Sequence, residues 1–332
     1  MKKILNQPSA YVDEMLEGLC AAHEQSFRLI GEDRRVVVRA GGPVPGKVGI
    51  VTGGGSGHLP VFLGYIGEGL IDGCAVGNVF AGPRVADCQL ALQHCDSGAG
   101  VLALYGNYGG DRMNFDMAQE FLELDGRAVA SLRVADDVAS APSEQRDKRR
   151  GVAGLVLVYK IAGARAAAGG SLAEVTAAAK KAADAVRSIG VALTPCIVPE
   201  SGKATFEIAD DEIEFGMGIH GEPGIWRGKL QSADALADEM LDRLLPELDA
   251  ARGTRMAVLV NSLGATPAEE LYILYRRIAA RLAALGVTPV MPLVGRYATS
   301  MEMAGASLSL MPLDGELEAL LRAPADCPFW KV

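Results

Sequence analysis

Val48-Gly49-Ile50-Val51-Thr52-Gly53-Gly54-Gly55-Ser56-Gly57-His58-Leu59-Pro60 is an apolar run that gives way to glycines and ends on a proline. The spacing predicts a buried strand, then a glycine loop, then the first turn of a helix, because proline is favoured where a helix begins. Free backbone N–H groups at such a junction suit anionic or polar oxygens. The same order recurs downstream, with strands at 74–76, 101–105 and 129–134 and helices at 83–94 and 113–124 between them. Strands alternating with helices favour parallel pairing through helical crossovers, which is the α/β class.

A long apolar helix is expected over 152–168, and Ser171 with Glu174 forms a capping box opening another that ends by Gly190. From Val191 the pattern turns extended, with strands expected at 191–198, 205–208 and 212–218. A helix at 234–247, a strand at 256–260 and a helix to about residue 285, capped by Thr266 with Pro267 and Glu269, come next. Strands at 289–294 and 308–311 and a short helix at 316–322 close the chain. At 332 residues the chain exceeds the usual single-domain size. Two α/β domains are therefore expected: 1–185 with a mostly parallel sheet flanked by helices, and 186–332 with a mixed sheet and helices.

The formal net charge is −9, and no Lys/Arg cluster is interleaved with aromatics, which argues against nucleic acid and anionic membrane as partners. Asp147-Lys148-Arg149-Arg150 is a brief basic run that reads as a solvated loop or helix start. The six cysteines show no metal-site spacing, and no signal peptide is evident; reduced thiols in a cytoplasmic protein are the expectation. Apolar runs such as 152–161 fall short of the roughly 18 residues that span a bilayer.

Three segments carry chemistry. Gly218-Ile219-His220-Gly221-Glu222-Pro223-Gly224 sets an imidazole between glycines, where a ligand's carbonyl can reach it, although a solvated hairpin histidine fits the same heptapeptide. Gly106-Asn107-Tyr108-Gly109-Gly110-Asp111 puts Asp111 at a strand's carboxyl end, either as a helix N-cap or sharing a crevice with His58. The third is the glycine segment itself. His23 and His94 lie among polar residues on expected helices and suggest no catalytic role. Gly41-Gly42-Pro43-Val44-Pro45-Gly46-Lys47-Val48 approaches a phosphate-binding loop but departs from it. Val48 stands where a magnesium-touching Ser or Thr belongs, two prolines remove N–H groups, and Lys47 leads into a strand.

With these segments in view, the chain resembles the dihydroxyacetone kinase family, specifically its ketose-binding K subunit or K domain. The resemblance begins at Met1-Lys2-Lys3-Ile4-Leu5-Asn6 and passes through Gly46-Lys47-Val48, the glycine segment, Asn107-Tyr108, Asp111 and Asn114-Phe115. Arg149-Arg150-Gly151-Val152-Ala153, Ser188-Ile189-Gly190-Val191-Ala192-Leu193, Glu214-Phe215-Gly216, the His220 heptapeptide and Asn261-Ser262-Leu263-Gly264-Ala265-Thr266-Pro267 continue it. The resemblance implies that His220 captures a short ketose as a hemiaminal. Asp111 and His58 then act on the sugar, in an order of roles the sequence leaves open, and the backbone N–H groups of Gly55, Ser56 and Gly57 bind its oxygens. It further implies that this chain binds no cofactor, and that Mg and ATP or ADP reside on a separate L subunit, which a phosphotransferase-system protein can serve. A homodimer is implied as well. Leu59 replaces the family's usual Glu, Gly106 its Lys and Asn78 an acidic residue. These departures make a four-carbon ketose such as erythrulose a rival to dihydroxyacetone. A ketose-sensing transcriptional coactivator without phosphotransfer is the rival of another class, against which the presence of both Asp111 and His58 weighs.

Overall fold

Alternate residues along the central strands enter opposite cores, which is the mark of a sheet covered on both faces. The computed structural model describes residues 2–332, so that of the segments quoted above only Met1 lies outside it. Its first domain opens with α1 (Tyr11–Ala22), β1 (Phe27–Ile30), β2 (Val36–Arg39), β3 (Gly49–Ser56) and β4 (Gly73–Val79). There follow α2 (Val85–Cys95), β5 (Val101–Gly106), α3 (Gly109–Leu124), β6 (Val129–Val134), α4 (Leu155–Ala167) and α5 (Leu172–Ala185). The sheet order is β1-β2-β4-β3-β5-β6; the last four strands in that order are parallel, and β1 and β2 form an antiparallel edge. Ile50, Leu102 and Leu104 point toward α4 and α5, while Val51, Ala103 and Tyr105 pack with α2 and α3. From β3 the chain goes to β4 on one side and later to β5 on the other, which opens a crevice at the carboxyl ends of these strands.

The second domain comprises β7 (Arg187–Ala192), β8 (Glu212–Phe215), β9 (Trp226–Lys229), α6 (Ala233–Leu244), β10 (Arg255–Ser262) and α7 (Ala268–Ala284). β11 (Thr288–Gly295), β12 (Gly305–Leu313) and α8 (Gly315–Arg322) complete it. The sheet is mixed, in the order β11-β10-β12-β7-β8-β9, with only β10 and β11 parallel. One face of this sheet packs on α6 and α7, while Ala257, Leu259 and Met311 on the other join the core around α4. Helix α4 is consequently apolar around nearly its whole circumference, and its one lysine, Lys160, donates to the Leu320 carbonyl at 2.7 Å. A final hairpin, β13 (Asp326–Cys327) and β14 (Trp330–Lys331), returns to the first domain through a bridge between Glu68 and Asp326.

Several sequence expectations change here. The glycine stretch is not a loop: β3 runs through Ser56, and its glycines make room for neighbours. A Cβ on Gly53 would lie 2.9 Å from the Phe115 ring, one on Gly54 would run into the Phe62 ring, and one on Gly55 would lie 2.7 Å from the Ala81 nitrogen. Gly54→Ala should therefore lower stability by about 1–3 kcal/mol through overpacking, more than the under 1 kcal/mol that alanine gains in backbone entropy. The urea midpoint of unfolding measures this. Pro60 opens no α-helix, because Val61, Phe62, Leu63, Tyr65 and Ile66 are buried on every side and leave no polar face; only a 3-10 turn, Leu63–Tyr65, forms.

Thr266 caps no helix. Its hydroxyl accepts from the Gly305 N–H at 2.7 Å, and α7 starts after Pro267. The strand expected at 205–208 is absent, and the segment meets its neighbour only through a bridge between Ile197 and Ala204. The Ser171–Glu174 capping box forms as expected.

Candidate active site

The carboxyl ends of β3, β4 and β5 bring His58, Phe80, Tyr108 and Asp111 to one place, and the 216–225 loop between β8 and β9 lowers His220 onto them. The His220 ring centroid is 4.7 Å from that of His58, 4.8 Å from Tyr108 and 5.4 Å from Phe80. The base of this loop is closed by Glu214, which accepts from the Gly224 N–H at 2.9 Å and from Arg227 at 2.7 Å. Arg150, from the first domain, ties it down by donating to the Gly216 carbonyl at 3.1 Å while paired with the buried Asp137 at 2.7 Å.

His58 lies just past β3 and is held by the other domain. Its Nδ1 donates to the Thr299 carbonyl at 2.7 Å, so in the neutral ring Nε2 carries the free lone pair. Burial, and then the nearby His220, pull its pKa down to about 3, so the ring is neutral near pH 7. Residues 297–301 are themselves fixed: the Asn261 side chain donates to Ala298 O and accepts from the N–H groups of Tyr297 and Ala298, and Met301 N donates to Gly57 O. The Asn261 segment thus acts at a distance, as the clamp on His58.

Asp111 is not the helix cap. Tyr108 occupies the N-cap position of α3, and Asp111 stands in its first turn with Oδ1 unpaired. Burial pushes its pKa up to about 6, against the lowering charge of His220. His58 Nε2, Tyr108 Oη and Asp111 Oδ1 are buried without a hydrogen-bond partner among the described residues. Buried polar atoms are nearly always satisfied, so three orphans around one imidazole describe a ligand's place.

Glu222 prepares that imidazole. It accepts from the backbone N–H of His220 at 2.5 Å and from Nδ1 at 2.9 Å, which leaves the lone pair of the neutral ring on Nε2. Burial alone would raise the Glu222 carboxyl, but the His220 hydrogen bond and charge, with Arg150 3.7 Å away, hold it at about 2. Gly55 and Ser56 end β3; the Ser56 hydroxyl is spent on the Gly77 carbonyl at 2.9 Å, and Gly57 turns the chain at a φ of 103°. Lys47, from the phosphate-loop look-alike, is paired with the buried Asp72 at 2.5 Å and is not available to a nucleotide.

The profile of the Dak1 domain matches residues 17–329. The chain belongs to the Dak1 domain family. It is 44% identical over its full length to the PTS-dependent dihydroxyacetone kinase 2, dihydroxyacetone-binding subunit DhaK, of Listeria innocua, of which it covers 100%. It is 42% identical, over all of this chain and 56% of the relative, to the L-erythrulose kinase of Pectobacterium atrosepticum. The dihydroxyacetone kinase of C. freundii superimposes with a TM-score of 0.91 at 33% identity, over 99% of this chain and 60% of that one. The dihydroxyacetone kinase operon co-activator Dha-DhaQ superimposes at 0.88 and 31%, over 96% and 97%.

Within this Dak1 domain, the structure adds residues to which the sequence assigned no role. Glu222 sits inside the quoted heptapeptide, and its spacing of two from His220 is the only signal that it reaches back to Nδ1. Thr299 acts through its carbonyl, for which a side-chain pattern offers no cue. The two departures noted at Leu59 and Gly106 are not equivalent. Leu59 lines a cavity with Tyr11, Met15 and Arg296 that Gly57 and Thr299 also border, whereas a Cβ on Gly106 would lie 3.3 Å from the Tyr108 ring that touches His220.

Proposed function

We propose that this chain is the ketose-binding subunit of a dihydroxyacetone-type kinase, in which His220 holds a short ketose covalently while its terminal hydroxyl is phosphorylated. The observation that carries this reading is the ring of orphaned polar atoms about a histidine whose nucleophilic nitrogen is selected by Glu222. In the reaction, Nε2 of His220 adds to the ketone carbon. The carbonyl oxygen gains the proton that the ring gives up at Nδ1, so the hemiaminal forms without net proton change. Glu222 stabilises the positive charge that passes through the ring.

Asp111, with its pKa near 6, takes the proton of the acceptor hydroxyl, whereas His58, at about 3, is too weak a base and accepts a hydrogen bond through Nε2. The backbone of Gly55, Ser56 and Gly57 forms the adjoining wall. The two domains, 1–185 and 186–332, divide the work: the first presents Asp111 and His58, the second His220. Mg and ATP belong to a nucleotide-bearing L subunit, itself rephosphorylated where a phosphotransferase-system protein serves it, and the K chains pair as a homodimer in the cytoplasm.

A four-carbon ketose is the second reading, favoured by the erythrulose kinase relative and by Gly106 beside Tyr108. A sensor without phosphotransfer needs His220 but has no use for a carboxylate with a raised pKa.

Ketose labelled at the carbonyl carbon, added to the purified chain, should lose its planar ketone NMR signal and gain that of a tetrahedral carbon. A ketone signal that persists at saturation would overturn the covalent step.

A further inference from the structure

Behind the β5–α3 turn lies a cavity of about 460 Å³ along the free edge of β6, separate from the ketose site. Asn107 forms part of its wall, while the next residue, Tyr108, faces His220. Five cationic side chains line it, Arg112, Arg133, Arg146, Lys180 and Arg187, against two carboxylates, Asp147 and Asp184. In a chain of net charge −9 that is a local reversal of sign.

Lys180 takes Asp184 at 2.5 Å, but none of Arg112, Arg133 and Arg146 is in an ion pair among the described residues. Arg187 is 4% exposed, and its Nε, although 3.4 Å from Glu247, has no aligned acceptor. Glu247 is already engaged by Arg149 through both oxygens. A buried guanidinium nitrogen without an acceptor, in the wall of a concave site with three unpaired arginines, describes a place for an oxyanion. Guanidinium forks recognise phosphate oxygens in pairs.

We propose that this cavity binds a phosphate-bearing small molecule and acts as an effector site on ketose capture. Its concave shape favours a small polyanion over an acidic protein surface. The link to the active site is short: Asn107 donates to the carbonyls of Asp147 at 2.9 Å and Arg149 at 2.7 Å, so an anion drawing in Arg146 and Arg112 acts on both ends of the segment carrying Tyr108 and Asp111. The source of the phosphate is either free inorganic phosphate or the phosphorylated sugar formed by the proposed reaction.

The test is calorimetric titration of the full chain with inorganic phosphate and, separately, with a ketose phosphate, at constant ionic strength with chloride as control. The native protein should show saturable binding of at least one of the two. The double variant Arg133→Gln/Arg146→Gln, at surface positions outside the capture machinery, should weaken it at least tenfold. Tighter binding of the ketose phosphate assigns the site to product, and tighter binding of inorganic phosphate assigns it to the free ion; either supports the site. Binding absent, or equal in native and double variant, overturns it, as does a variant whose only defect is association with a nucleotide-bearing subunit. Carbonyl-carbon NMR with and without the bound anion reads the coupling: the anion should shift the ketose dissociation constant of the native protein and not that of the double variant, and an unshifted native constant overturns the effector role. The tetrahedral carbon still forms at His220 in the variant, which keeps this reading apart from the covalent step.

Discussion

Asp111→Asn should lower ketose phosphorylation, assayed with a cognate L subunit, Mg and ATP, by about 10²–10⁴-fold while making the protein more stable. The two effects share one cause. The native carboxyl is buried with Oδ1 unpaired, and its pKa is raised from 3.8 to about 6. The folded state therefore holds the proton more tightly than the unfolded chain. Ionising Asp111 costs stability that is lost as pH climbs from 3.8 through about 6 and stays lost above it. A rise of about two units corresponds to at most about 3 kcal/mol, which the neutral asparagine recovers in part at pH 7.5. Turnover runs the opposite way: the base is the carboxylate, so activity should fall as pH drops through about 6, and the acid limb should vanish in the variant's residual activity. A helix-capping Asp111 predicts a loss of about 1 kcal/mol instead. Full turnover in Asp111→Asn would remove it from the role of base, and a lowered melting temperature would overturn the stability gain.

Much of the arrangement was legible because burial writes periodicity into sequence. The strands at 101–105 and 129–134 and the Ser171 capping box follow from local rules that tertiary contacts did not override. The glycines of β3 misled for a physical reason: glycine marks both turns and close approaches, and only the neighbours, Phe62, Phe115 and the Phe80–Ala81 backbone, decide between them. The antiparallel edge of β1 and β2 is four residues per strand and escaped notice, as short strands carry little pattern. At the site, His58, Asp111 and His220 were visible as reactive side chains next to glycine. Their convergence, 162 residues apart in the case of the two histidines, depends on the Thr299 carbonyl and the Arg150 tether, and backbone acceptors leave no trace in residue type. Residue type does not separate the two candidate bases either, because what sets them apart is burial, which raises the pKa of Asp111 to about 6 and lowers that of His58 to about 3.

His220→Ala should abolish capture outright, with the labelled ketone signal unbroken at any concentration and phosphorylation reduced to the background of the partner alone. The expectation rests on geometry: both imidazoles leave Nε2 free, but His220 has its Nδ1 held at 2.9 Å by the Glu222 carboxylate, which balances charge on the ring as Nε2 bonds to carbon. His58 is the poorer nucleophile, because its Nδ1 meets only the neutral Thr299 carbonyl and burial, tilted against Phe80 at 5.0 Å, holds its pKa down to about 3. Glu222→Gln separates chemistry from positioning. The amide can still accept from the His220 backbone, but it removes the charge that steadies the ring as the carbon–nitrogen bond forms, a charge-assisted hydrogen bond worth about 1.5–3 kcal/mol. Capture should persist with a dissociation constant raised about 10–100-fold, and the tetrahedral carbon should remain visible at high ketose. An unchanged constant would confine Glu222 to shaping the loop, and unchanged capture in His220→Ala would place the nucleophile elsewhere.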